Sequence, residues 1–354
     1  ELVGVFSVES LGVNIFDKGD ELLIGILANQ AAIALQHARL FQREQQRLEE
    51  LNEAHRELAD LNANLEQKVE ERTAELLELS AKLAKYFSPQ VYDSIFSGKL
   101  DVTIQTQRKS LTVFFSDLQG FTELTERLEP EVLTELLTHY LTEMSEVAIR
   151  WGGTIDKFEG DAIIAFWGAP LEQDDHAVRA CYSIIDQQKF LVPFRERLIE
   201  ADTIPVKFTV RMGVNTGMMI VGNMGSTQRM DYTMMGDSVN LAARLEGANK
   251  FYKNHQMISE STYAQAKDFI DSRELDRIRV VGKNEPVTVY DVLERKDQTS
   301  GKMAEVVPIY LKGLERYKQL DFVGAQELFR KALTILEEDG PSLTYVDRCQ
   351  HFID

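Results

Sequence analysis

The sequence predicts an α+β protein: a mixed strand-and-helix domain preceded by a dimeric coiled coil and followed by a helical hairpin. Three observations carry this. Strand-like runs at 111–117, 153–158, 162–167, 206–215, 217–222, 275–281 and 286–293 alternate with helical ones at 130–150, 174–199 and 236–251. That is a pattern of sequential hairpins, not a simple parallel βαβ series. The charged stretch 41–83 carries leucines at a/d spacing and contains no Pro or Gly. Residues 303–354 are helical, with small and aromatic residues at Gly313, Ala325, Phe329 and Ala332.

Composition bounds the function. With 354 residues, 44% of them hydrophobic, the chain can form two or three units with a real core. The formal charge of −18 argues against a nucleic-acid-gripping protein, which needs clustered Lys and Arg. It is compatible with one bound nucleotide, where metal ions supply the positive charge. The two cysteines, Cys181 and Cys349, lie far apart, so no disulfide framework is expected and a reducing compartment is the default. Leu22–Leu40 comes closest to a membrane span, but Asn29, Gln30, Gln36 and His37 interrupt it, so none is expected. The chain opens at Glu1 inside a strand-like run without a signal peptide. It reads as a cytoplasmic fragment of a longer protein, with an upstream anchor left open.

The elements follow in order. In 1–40, Leu2-Val-Gly-Val-Phe-Ser-Val8 is strand-like and Asp20–Leu40 is an apolar helix. Phe16-Asp-Lys-Gly-Asp20 and Ala31-Ala-Ile-Ala-Leu35 resemble the last strand and helix of a GAF sensory domain; a generic α/β fragment is the alternative. In 41–83, Leu51, Ala54, Leu58, Leu61 and Leu65 form a seam that restarts four residues later at Val69, Arg72, Leu76, Leu79 and Leu83. Such a stutter locally unwinds a coiled coil. A parallel dimer is expected over a solvated single helix. Tyr86-Phe-Ser-Pro89 ends the helix, because the residue before Pro disfavours αR. Residues 84–109 are a connector and 110–295 the next domain. The 303–354 spacing matches one tetratricopeptide repeat or an ordinary helical hairpin. One repeat cannot bury its own face, so it must pack on something else or begin an array.

Two aspartates in 110–295 point to chemistry. Asp117 ends the apolar run Leu111-Thr-Val-Phe-Phe-Ser-Asp117, and Asp161 lies in Asp156-Lys-Phe-Glu-Gly-Asp161 just before Ala162–Trp167. A carboxylate at a strand end and another at a neighbouring hairpin tip can share hard divalent cations with substrate phosphates. In isolation one would be a capping Asp and the other a turn Asp. Leu118–Thr122 turns from strand end into helix start, so backbone N–H groups face outward as a phosphate cradle, and Gly120 permits close approach. Asn240 and Arg244 stand i and i+4 on a helix beginning near Gly236 and share one face. The ordinary reading of Arg244 is an ion pair with Glu246 or Asp237. The six histidines show no metal spacing, and no G-x-S-x-G elbow or Walker loop is present.

Four motifs in order carry a resemblance: Phe115-Ser-Asp-Leu-Gln-Gly-Phe-Thr122, Lys157-Phe-Glu-Gly-Asp161, Arg211-Met-Gly-Val-Asn-Thr-Gly217 and Tyr232-Thr-Met-Met-Gly-Asp-Ser-Val-Asn-Leu-Ala-Ala-Arg244. Residues 110–295 thereby resemble a class III adenylate cyclase catalytic domain of bacterial or cyanobacterial type. The resemblance implies a palm-like βαββαβ sheet with helices on one face and an added hairpin around 217–234. It implies that Asp117, Leu118 and Asp161 hold two Mg²⁺ or Mn²⁺ ions. Lys157 and Thr233 would read adenine, since a Lys donor suits unprotonated N1 and a Thr oxygen suits the exocyclic amine. The family's guanylate members carry Glu and Cys there. Thr233 also places the chain in the subgroup associated with a bicarbonate response, so bicarbonate or another small molecule is an expected regulator. By the same resemblance Asn240 positions the ribose, Arg244 stabilises charge on the α-phosphate, and Gly120, Phe121 and Thr122 cradle phosphates. Val281 stands where the family often has a phosphate-binding Lys, so Arg211 or Lys283 is expected to supply that charge. The implied function is ATP to cyclic AMP and pyrophosphate in a homodimer whose sites are shared between chains. A guanylate cyclase and a silent sensory dimerisation module are the alternatives.

Overall fold

The computed structural model describes residues 4–5, 7–9, 12, 17–200, 209–279 and 285–354. It divides into two compact units at Leu83/Ala84. The first unit is dominated by one helix, α1 (Lys18–Ala84), of 67 residues. At 1.5 Å per residue it is about 100 Å long. The expected boundary near residue 40 does not interrupt it, because nothing in that stretch breaks a helix. No described residue of α1 is buried, and Leu51, Leu58, Leu61, Leu65, Leu76 and Leu79 are all exposed. The strand expected over Leu2–Val8 is absent from its described part, residues 4–5 and 7–8. No described strand offers it a pairing partner.

The second unit opens with α2 (Pro89–Phe96), whose Pro89 sits at N1, where its missing N–H costs nothing. An eight-stranded sheet follows, in the order β2-β3-β1-β4-β6-β8-β7 with β5 added on β4. Its strands are β1 (Thr106–Gln119), β2 (Thr154–Glu159), β3 (Ala162–Trp167), β4 (Thr209–Gly225), β5 (Met230–Met235), β6 (Gln256–Ser259), β7 (Ile270–Ile278) and β8 (Val287–Arg295). Helices α3 (Phe121–Arg127), α4 (Pro130–Arg150), α5 (His176–Glu200), α6 (Asp237–Tyr252) and α7 (Glu260–Ala266) complete it. Most neighbours are antiparallel, and β4 and β6 run parallel.

The expectation of helices on one face is corrected. Phe114 and Leu118 of β1 pack with α4 and α5 through Leu136, Tyr140, Met144, Ile184 and Ile185. Leu111 and Val113 face the other way, toward Met234 of β5 and Ala242 of α6. The run Leu111–Phe115, apolar but for Thr112, has apolar residues at both odd and even positions, which suits two covered faces, since a half-exposed strand would alternate. Each large apolar side chain buried this way contributes about 1.5–3 kcal/mol. The two strands expected at 206–215 and 217–222 form one strand, β4, in their described part. Gly217 does not break it; a Cβ there would lie 2.5 Å from Ser238 Oγ, so the glycine admits α6.

Beyond the sheet lie three helices, α8 (Gly301–Lys318), α9 (Phe322–Ile335) and α10 (Gly340–Ile353), where a hairpin was expected. Asp339 caps α10 by accepting from Ser342 N, and Pro341 follows in the first turn, so a third helix starts there. These helices do not bury their face alone. The Tyr345 hydroxyl donates to Leu275 O of β7 at 2.7 Å, and buried Arg273 of β7 pairs with Asp291 at 3.0 Å and Asp339 at 2.8 Å. No helix among the described residues is long and apolar enough to cross a membrane.

Candidate active site

Asp117 lies near the end of β1, directly opposite Arg211 of β4. Asp161 sits at the tip of the β2–β3 hairpin, where Glu159 pairs with Ala162. The Leu118 backbone N–H donates to Asp161 Oδ2 at 3.0 Å and fixes the tip against the β1 end. Arg211 donates through Nη2 to Asp117 and through Nε to Glu246 Oε1 at 2.8 Å. Glu246 comes from α6, which lies directly on β4 at Gly213; a Cβ there would fall 2.2 Å from the Glu246 nitrogen. The structure thus gathers Asp117, Leu118, Asp161, Arg211 and Glu246.

Three carboxylates surround one guanidinium here. Burial pushes the Asp161 carboxyl up, the Leu118 N–H pulls it back, and the Asp117 charge raises it further. Burial likewise raises Glu246, against the attraction of Arg211. Excess negative charge on oxygen donors suits a hard divalent cation. Among the described residues no group of three or more His, Cys, Asp or Glu could hold a metal by itself. Two carboxylates completed by substrate phosphates are the mode Mg²⁺ uses, so the residues fit such an ion. Arg211 was expected to contact phosphate; it is instead tied to Asp117 and Glu246. Val281 and Lys283 lie outside the described residues. Gly120 adopts φ 90° as the N-cap of α3, and no side chain caps that end. Phe121 and Thr122 form its first turn, and a Cβ on Gly120 would meet nothing within 4 Å.

A second set of residues forms around Asp156. Lys157 Nζ lies 3.7 Å from Asp156 Oδ2. Thr233 of β5 lies close enough to the same carboxylate to favour its charged form. The Tyr232 and Phe166 rings lie 6.2 Å apart, so β5 folds over β3 and brings Thr233 toward β2. Burial raises the Asp156 carboxyl, while Thr233 and Lys157 lower it and Asp231 raises it. Lys157 and Thr233, far apart in the sequence, both lie beside Asp156. Among the described residues no hydrogen bond or ion pair joins this set to the Asp117 cluster.

On α6, Asn240 is exposed and Arg244 is half-buried. The Arg244 Nη1 is buried without a hydrogen-bond partner. Glu246 turns to Arg211, so it is not the ion-pair partner of Arg244. Arg244 lines a cavity of about 470 Å³ with Phe251, Arg279 and, from α10, Arg348. The larger cavity, about 790 Å³ beside Glu274 and Tyr317, contains none of the expected site residues. Sequence reasoning missed Glu246 and Asp156 as members of the site. The register of Arg211 against Asp117 gave no sign of Glu246. Asp156 should point away from Lys157 in a regular strand.

Comparison with known proteins identifies the family. Residues 104–293, more than half of the chain, match the family "Adenylate and Guanylate cyclase catalytic domain". Adenylate cyclase 1 of Rhizobium meliloti is 36% identical over 186 residues, 52% of this chain; the chain spans 28% of that protein's length. The crystal structure of the adenylyl cyclase CyaB from P. aeruginosa superposes with TM-score 0.51 at 44% identity, covering 56% of this chain and 100% of that one. A guanylyl cyclase structure, Cya2, gives TM-score 0.50 at 32% identity over 56% of this chain and 98% of that one. The chain therefore belongs to the adenylate and guanylate cyclase catalytic domain family, and its second unit is that of a cyclase.

Proposed function

We propose that this chain is an adenylate cyclase, forming 3′,5′-cyclic AMP and pyrophosphate from ATP as a homodimer. The observation that carries the choice of base is a Lys at 157 on β2 and a Thr at 233 on β5, the positions at which the family's guanylate members carry Glu and Cys. Lys157 offers only donors, which suit adenine N1. Thr233 offers an acceptor to the exocyclic amine. Asn240 orients the ribose, and Arg244 faces the charge that grows on the α-phosphate, which a guanidinium suits. The first turn of α3, from Gly120 through Thr122, receives the phosphates. Two Mg²⁺ or Mn²⁺ ions, held at Asp117, Leu118 and Asp161, would lower the pKa of the ribose 3′-hydroxyl and neutralise the triphosphate. The ribose oxygen then attacks the α-phosphorus in line, with no protein nucleophile.

The family resemblance supports a shared site. Asp117 and Asp161 of one protomer would act with Lys157, Thr233, Asn240 and Arg244 of the other. Helix α1, with its exposed leucine seam, would join two copies and carry a signal from the sensory end. Incubating the purified chain with ATP or GTP plus Mg²⁺ or Mn²⁺ and identifying the product tests the proposal. Cyclic AMP made in preference to cyclic GMP is the expected result. A preference for GTP would assign the chain to the guanylate branch, and no product from either would make it a silent module.

A further inference from the structure

We propose that Arg348 of α10 is a positioning residue for the cyclase reaction: with Asp276 and Tyr252 it fixes the last turn of α6, and through that helix the place of Arg244. The inference rests on the reading of Arg244 as the α-phosphate contact. It makes the C-terminal helices, which begin at Gly301 beyond the residues that match the family, part of the site.

Three residues spaced four apart, Gly340, Thr344 and Arg348, share one face of α10 and meet the end of α6. Gly340 opens α10 so close to α6 that a Cβ on it would fall 2.2 Å from the Lys253 carbonyl oxygen and 2.7 Å from that of Tyr252. The N-terminus of one helix therefore meets the carbonyl end of the other, which the two helix dipoles favour. One turn on, the Thr344 hydroxyl donates to the Phe251 carbonyl at 3.1 Å. A helix leaves its last carbonyls without partners of its own, and α10 supplies one. A further turn on, Arg348 donates through Nη1 to Asp276 Oδ2 of β7 at 2.6 Å and through Nη2 to the Tyr252 hydroxyl at 3.3 Å. That hydroxyl donates in turn to Asp276 Oδ2 at 2.6 Å. The guanidinium lies 5.0 Å from the centre of the Tyr252 ring and 5.2 Å from that of Tyr345. Tyr252, the buried last residue of α6, is thus held in a closed triangle of α6, β7 and α10.

Arg348 and Arg244 line the same cavity of about 470 Å³. Among the described residues no hydrogen bond or ion pair ties Arg244 to a neighbour, and its Nη1 is buried without a partner. Its place therefore follows from where α6 lies. That helix is pinned at its middle by Glu246 to Arg211 and at its end by α10. Docking of the C-terminal helices does not depend on Arg348. Arg273, between Asp291 and Asp339, and the Tyr345 hydroxyl on Leu275 O fasten them separately. Altering Arg348 should leave those helices docked and loosen the end of α6.

Arg348→Met tests this. A guanidinium that meets charge only as it grows acts in the transition state, so its misplacement lowers kcat and spares KM. The kcat for cyclic AMP formation should fall about tenfold or more, with KM for ATP within about twofold of wild type. Amide hydrogen exchange over residues 245–252 should quicken about tenfold, with the urea midpoint close to that of wild type. Arg348→Lys keeps a charge for Asp276 but not the fork that also reaches Tyr252. It should lose less of kcat, and it serves as the second variant should the methionine chain fail to fold. Unchanged kcat or unchanged exchange on α6 would overturn the proposal. A kcat lost together with the urea midpoint would give Arg348 a structural role alone and overturn it as well. A wild-type chain that forms no cyclic nucleotide would overturn the reading of Arg244 beneath it. The exchange on α6, which needs no activity, separates the two failures.

Discussion

Arg211 shows how one residue's role depends on its neighbours across the sheet. The sequence left it free to bind phosphate; the fold places it opposite Asp117 and under Glu246. Glu246→Gln should leave Arg211 held by Asp117 alone, so that Asp117 is less available to a cation. A Mg²⁺ titration of activity should then shift to higher concentration by about threefold or more; an unshifted curve would remove Glu246 from the site. The base contacts give a second test. Lys157→Glu with Thr233→Cys should move preference from ATP toward GTP by about tenfold or more, because a mispaired buried polar group costs roughly 1–3 kcal/mol. Competition between the two nucleotides in one assay measures it, and an unmoved ratio would deny both residues their role. The motifs that hold Asp117, Asp161, Lys157 and Thr233 were legible because they are local. Glu246 and Asp156 were not, because one depends on a helix settling onto Gly213 and the other on a bulge between Ile155 and Lys157.

At the scale of elements, the long helix and the C-terminal helices make opposite demands. Helix α1 buries nothing within the chain, and its seam has two registers across the stutter between Leu65 and Val69. One residue inserted after Glu78 would rotate everything downstream by about 100°; seven would restore the phase and add about 10 Å. Cyclase activity should change strongly with the first insertion and little with the second. Equal activities, with dimerisation intact, would make the helix a tether only. Helices α8–α10 are instead fastened to the sheet through Arg273, which is 2% exposed between Asp291 and Asp339. Arg273→Met would leave two buried carboxylates without their cation and should cost about 3–5 kcal/mol. Urea unfolding measures this, and a loss under about 1 kcal/mol would mean that the pair does not clamp these helices. Leucine spacing and the break before Pro89 were readable from sequence. The third helix and the docking of all three onto β7 were not, since that contact joins Leu275 to Tyr345 across 70 positions.

For the whole molecule, a net charge of −18 means that a bound triphosphate would need positive charge supplied with it. On the proposed reading, a second copy completes the catalytic set. Strand order in the sheet followed from the alternation of runs only in outline, because β6 and α7 are too short to show a period. The proposed division of the site between chains rests on the resemblance. The decisive measurement mixes an Asp117→Ala chain with an Arg244→Ala chain, each inactive alone, and follows cyclic AMP formed from ATP. A mixed dimer holds one site with both defects and one with neither. Random pairing makes about half the dimers mixed, with one good site in each, so roughly a quarter of wild-type activity should return. No recovery, with subunit exchange demonstrated, would place every catalytic group in a single chain and contradict the account.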